Sequence, residues 1–263
     1  MNRLIRAEMR RLLSTRLWRW GPLAALACGG GLTLLLVLIG PERFEPPMPG
    51  VETAAGVRIV LSAVGLTVLV PALFGALAVT SEYRHRTIGH TFLFAPKRYR
   101  VLAAKLAAYA AAGAVYGVLV AVAVAAALYA GAAARGVPVG VSFGEVAAML
   151  SGQAAAMAAY TVIGVGFGAL VRNQTATLIV LGGYLYMVEH ALALVPGFNA
   201  VYPFLPGGAT AALTESSLMR EAAAAAGSAP TLLPPLLGAA VLLAYALAAS
   251  LAAVTAPMRR DVT

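Results

Sequence analysis

The sequence predicts an all-α integral membrane protein. It reads as a bundle of six transmembrane helices, with an amphipathic interfacial helix in front and a short charged helix between the second and third spans. Three observations predict this class. Hydrophobic residues make up 61% of the 263-residue chain and charged residues 11%, less than half the roughly 25% of soluble domains. Mean hydropathy is +0.85, which leaves too little polar surface to cover a soluble core. Apolar runs of about 20 residues recur. They are rich in Ala and Leu and lack the alternation of barrel strands, so backbone groups in lipid must be satisfied within helices.

The first 20 residues read as one amphipathic helix lying on the membrane face. Ile5, Met9, Leu12, Leu13, Leu17 and Trp20 recur at helical spacing, and arginines occupy much of the remaining surface. Trp18 and Trp20 then fall at headgroup depth. The arginines spread too widely for a signal peptide and no small-residue cleavage site follows, so the segment is expected in the mature protein. A topology anchor and a partner-contacting helix fit it equally.

Six spans follow, predicted at Gly21–Gly40, Ile59–Thr80, Val101–Gly131, Gly144–Val171, Thr175–Val195 and Leu232–Ala256. The third and fourth exceed the length a bilayer requires and are expected to tilt or project beyond it. With the N-terminus in the cytoplasm, fifteen of the nineteen Lys and Arg lie on the cytoplasmic side. Only Arg43, Arg58, Arg135 and Arg220 lie outside. The positive-inside rule therefore predicts both termini cytoplasmic, including a tail at 257–263. A net charge of +9 gathered beside apolar spans suits an anionic leaflet, at about 1 kcal/mol per juxtamembrane cation, and argues against nucleic acid as a partner. The lone Cys28 excludes an intramolecular disulfide and reads as a packing residue. The first external loop, with Glu42, Glu45, Glu52 and several prolines, is acidic and irregular. Residues 196–231 are too polar and too rich in Pro and Gly for a clean span. Tyr202–Leu213 is expected to be a short helix dipping back into the outer leaflet, where irregular backbone needs protein or a water-filled cavity around it.

Several chemistries are excluded. No G-x-x-x-x-G-K-[ST] loop precedes Lys97 or Lys105, the only lysines, so the chain has no phosphate loop for ATP. His85 and His90 are five apart, the wrong spacing for two metal ligands on one helical face, and His190 is alone. No catalytic triad or carboxylate pair converges, so neither catalytic nor metal-binding residues are expected, and an intramembrane enzyme is disfavoured. Gly164 and Gly168 form a G-x-x-x-G, as do Gly113 and Gly117. They read as close helix packing, within the bundle or between protomers. Gln153, Tyr160 and Thr161 share a helix with the first motif and either bond to neighbouring helices or face a polar cavity. Glu189 is the one acid read inside an apolar helix. Glu189–His190 is a candidate substrate or proton path; its place near the end of the fifth span favours a local pair at the headgroups.

Ser81–Lys105 holds six of the nineteen cations. Ser81 is placed to cap a helix, and Glu82 and Arg86 are spaced to pair along it. Tyr83, Ile88, Phe92, Leu93 and Phe94 supply an apolar and aromatic face, and Pro96 ends the helix. A docking helix over about 81–95 and a basic loop that only sets topology are equally compatible with this composition.

Three stretches resemble the ABC-2 type transporter permeases, particularly small drug and antibiotic exporters of high-GC Gram-positive bacteria. They are T-S-E-Y-R-H-R-T-I at Thr80–Ile88, A-P-K-R-Y-R-V-L-A-A-K at Ala95–Lys105, and Y-P-F-L-P-G-G-A-T at Tyr202–Thr210. Taken with six spans, the resemblance covers essentially the whole chain. It implies that the loop after span two is a coupling helix docking on a separate ATPase, with Glu82, Tyr83, Arg84, Arg86, Thr87 and Phe92 as contact residues. It implies that the N-terminal helix is a connecting helix and that the external segment is re-entrant. Two ATPase copies would carry ATP and Mg, this chain binding no cofactor. A second permease unit, identical or homologous, would complete the pathway in a bacterial plasma membrane. The cargo class expected is lipophilic or amphipathic. The alternative is a sensor or immunity subunit with the same kind of ATPase, which reconstituted vesicles would distinguish because only an exporter moves a solute.

Overall fold

In the computed structural model, residues 2–45, 47–87, 97–195, 200–216, 227 and 231–255 are described. The protein is an all-α membrane bundle, with no strand among the described residues. Among the described residues six helices are long and apolar enough to cross a bilayer: Trp20–Ile39, Ala54–Arg84, Tyr99–Arg135, Phe143–Val171, Gln174–Leu194 and Pro235–Thr255. These are the first to sixth spans below, and they make this a multi-pass membrane protein. The third and fourth, at 37 and 29 residues, are longer than the roughly 20 residues a bilayer core needs.

The second and fourth spans are the most enclosed, and the fourth packs along the second, third and sixth. Glycines allow these approaches. A Cβ at Gly117 would stand 2.7 Å from Ala154 Cα, and one at Gly168 2.8 Å from the Ala76 carbonyl oxygen. Gly113 faces Thr161 and Gly164 faces Ala72 in the same way. Both G-x-x-x-G pairs therefore pack inside this chain, joining the third span to the fourth and the fourth to the second. The perimeter is apolar: Leu35, Val122, Ile179, Met187 and Leu247 are exposed, as hydrocarbon-facing side chains are. Cys28 is exposed too, which corrects its reading as a packing residue; an apolar run in a membrane helix has a lipid face as well as a packed one.

Three spans change winding partway. Pro71 offers no N–H and crowds the carbonyl four residues earlier, and the stretch just before it, Val64–Val68, winds as 3-10 helix. Ala25–Gly31 and Tyr184–Val188 are π-helical, the first holding three glycines and the second following Gly182 and Gly183. Carbonyls freed in this way need partners in lipid. Val64 O accepts from Thr67 Oγ1 at 2.7 Å and Gln153 Nε2 at 3.4 Å, and Leu66 O accepts from the Tyr186 hydroxyl.

The N-terminal helix spans Asn2–Ser14 and breaks at Thr15 before helix resumes at Arg16. The sequence pattern predicts one unbroken helix to residue 20. The break arises where the hydroxyls of Ser14 and Thr15 turn back onto Arg11 O and Leu12 O at 2.7 and 2.6 Å, bonds that compete with the helical pattern. Between the fifth and sixth spans a 3-10 turn at Tyr202–Phe204 leads into a short buried helix, Pro206–Leu213, that packs on the sixth span. Residues 196–199, most of 217–230 and the tail at 257–263 lie outside the described residues.

Candidate functional site

Among the described residues, the buried carboxylates gather in two sites, one at each end of this apolar bundle. The first lies at the end carrying the N-terminus. Glu82 is fully buried, and its Oε1 accepts from Lys105 Nζ at 2.6 Å and from Arg11 Nη1 at 2.5 Å. Lys105 Nζ also donates to Glu8 Oε2 at 2.6 Å and lies 5.7 Å from the Tyr109 ring centroid. Two cations and two anions from three elements thus form a neutral junction. It joins the N-terminal helix to the point where the second span ends and the third begins. Neutrality and mutual hydrogen bonding are what allow such charges to be buried at all.

This geometry corrects two expectations. Ser81 caps no helix, because the second span runs unbroken through it to Arg84. Glu82 does not pair with Arg86. The helix closes by a Schellman arrangement, with Thr87 N donating to Glu82 O at 2.9 Å and Arg86 N to Tyr83 O at 3.2 Å. Arg86 occupies the left-handed position of that turn, at φ 56°, which ends the helical spacing the pairing required. Of the remaining predicted coupling residues, Tyr83 lies under the Arg172 guanidinium, 5.5 Å from its ring centroid. Arg84 is exposed and donates to Gln174 Oε1 at 3.3 Å. Thr87 is exposed beside the turn, and Phe92 lies outside the described residues.

Sequence reasoning missed Glu8, Arg11 and Lys105 as partners. Signals were present. Glu8 is the only acid in the first 41 residues, and Lys105 lies inside an apolar helix, where an isolated charge is costly without a counter-ion.

The second site is a cavity of about 320 Å³ at the opposite end, between the second, fourth and fifth spans and the short helix. Leu66, Tyr160, Tyr186, Glu189, His190 and Thr210 are among its walls. Glu189 is buried at 1% exposure. Its Oε2 accepts from Gly207 N at 2.5 Å, at the start of the Pro206–Leu213 helix, while its Oε1 has no hydrogen-bond partner. A carboxylate there meets the free N–H groups and positive end of that helix. Local pairing with His190 at the headgroups is therefore overturned. His190 Nδ1 bonds Leu185 O at 3.0 Å, and its ring stacks on Tyr186. Tyr184 stands beside the carboxylate, and Tyr160 and Tyr202 line the same cavity. Burial, and then the Glu189 charge, push the Tyr202 phenol above its ordinary range. Thr210 Oγ1 donates to Tyr160 Oη at 3.2 Å, tying the short helix to the fourth span.

The candidate path residues therefore divide. Tyr160, Glu189 and His190 meet at this cavity. Gln153 instead bonds the loosened second span, and Thr161 bonds Met157 O on its own helix and packs on Gly113. Among the described residues no cluster of three or more His, Cys, Asp or Glu is placed to hold a metal ion. No protein-family model and no curated protein sequence matches the chain.

Proposed function

We propose that this protein is the membrane-spanning permease subunit of an ATP-driven exporter of the ABC-2 kind. ATP and Mg would be bound by a separate ATPase. The reading places it in a bacterial plasma membrane with both termini cytoplasmic, paired with a second permease unit, identical or homologous. The observation that carries it is the buried junction of Glu8, Arg11, Glu82 and Lys105. An external motor needs a stiff attachment through which movement at the 85–97 segment reaches the spans. This junction clamps the ends of the second and third spans to the N-terminal helix, so a push on the connecting segment moves three elements together. Residues Tyr83, Arg84, Arg86, Thr87 and Phe92 are the proposed contact surface.

The test is co-purification with subunit counting, followed by reconstitution of the complex in vesicles. Bound ATPase in a two-to-two ratio and ATP-dependent solute movement are expected. Binding with ATP hydrolysis but no solute movement would overturn the exporter reading and leave a sensor or immunity subunit. Absence of any bound ATPase would overturn both.

A further inference from the structure

The cavity beside Glu189 has the chemistry of a cation site. Its floor is a carboxylate that is 1% exposed, with one oxygen bonded to Gly207 N and the other unpartnered. Bundles seldom bury a lone acid without a counter-ion, and among the described residues no Lys or Arg reaches this one. Four aromatic rings are among its walls: Tyr160, Tyr186, Tyr202 and His190. Aromatic faces attract organic cations, most strongly where water is excluded. The rest of the lining is apolar or hydroxylic, including Leu66, Val68 and Thr210. The volume of about 320 Å³ lies at the lower end of small-molecule sites.

We propose that this cavity binds an organic ammonium ion, its nitrogen held by Glu189 and the tyrosine faces and its apolar body by the cavity walls. The site would then select amphipathic cations over neutral molecules of the same shape. This rests on the exporter reading only for its role in cargo choice; binding itself needs the chain alone.

The experiment is equilibrium dialysis of the purified full chain in phosphatidylcholine nanodiscs. The probe is benzyltrimethylammonium, with neopentylbenzene, in which carbon replaces the charged nitrogen, as the neutral comparator. Saturable binding of the cation is expected, with no saturable binding of the comparator. Glu189→Gln keeps an acceptor for Gly207 N and removes the charge. It should weaken cation binding about tenfold or more, the range of desolvated charge pairs across interfaces. Tyr202→Leu should weaken it and Tyr202→Phe should not, since only the first removes the aromatic face. A Glu189→Gln variant that elutes as the intact protein and binds the cation as wild type does would overturn the proposal, as would equal binding of the neutral comparator. Cation binding without ATP-driven movement would sink the exporter reading and leave the site. Export of a neutral solute, unchanged by Glu189→Gln and without cation binding, would do the reverse.

Discussion

Replacing Lys105 with Met should destabilise the bundle more than any other single change in the charged junction. Lys105 Nζ sits 2.6 Å from both Glu8 and Glu82, and the three side chains are 3%, 9% and 0% exposed. At an effective dielectric of about 20, each contact carries about 6 kcal/mol of gross attraction. Most of that is offset by desolvation, so the intact junction adds little net stability. Breaking it is different. Without Lys105, Glu8 is left with no cation, no more than about 5 Å from a Glu82 that keeps only the partly exposed Arg11, a cost of about 3–5 kcal/mol. Arg11, whose side chain is 37% exposed, pairs partly in water, and Arg11→Met should cost only about 1 kcal/mol or less. The triple variant Glu8→Leu, Glu82→Leu, Lys105→Met should return to within about 1–2 kcal/mol of wild type, since apolar replacement of buried ion sets is often neutral. The assay is reversible unfolding in mixed micelles titrated with dodecyl sulfate, followed by circular dichroism. A Lys105→Met variant as stable as wild type, or a triple variant no better than Lys105→Met, would refute the reasoning. A stable triple variant also separates stability from coupling. On the exporter reading it should hydrolyse ATP with its partner yet move less solute.

Two further outcomes follow from the packing and the loop chemistry. Gly117→Val should cost about 1–3 kcal/mol by overpacking against Ala154, whereas Gly182→Ala, with open space where its Cβ would go, should be neutral or gain up to about 1 kcal/mol of helix propensity; the same micelle titration ranks them. Glu42 is held below the usual carboxylate range first by its backbone hydrogen bond, which outweighs the opposing effect of burial, and then by the Arg135 side chain. Its contribution to stability is present above about pH 4.5 and is lost as pH falls through the depressed folded value. Thermal unfolding scanned from neutral to acid pH should lose part of its acid sensitivity in Glu42→Gln; an unchanged profile would exclude the pairing.

Much of the fold was legible because membrane spans are written in local composition. A run of about 20 apolar residues must be helical in lipid whatever surrounds it. The six spans and the surplus length of the third and fourth follow from that constraint. The sites were less legible. Glu189 is visible because an acid in an apolar helix stands out in sequence, but its bond to Gly207, eighteen residues away, depends on how the short helix folds back. Glu82 stands out as well, but its spacing points to the wrong partner. Spacing along one helix suggested Arg86, while the backbone turn at Arg86 and the packing of two other elements delivered Lys105 and Arg11. Sequence alone determined which segments cross the membrane and that charge had to lie mainly between them. Tertiary structure decided which charges meet, because a buried ion pair depends on three-dimensional proximity and desolvation, and neither follows the order of residues along the chain.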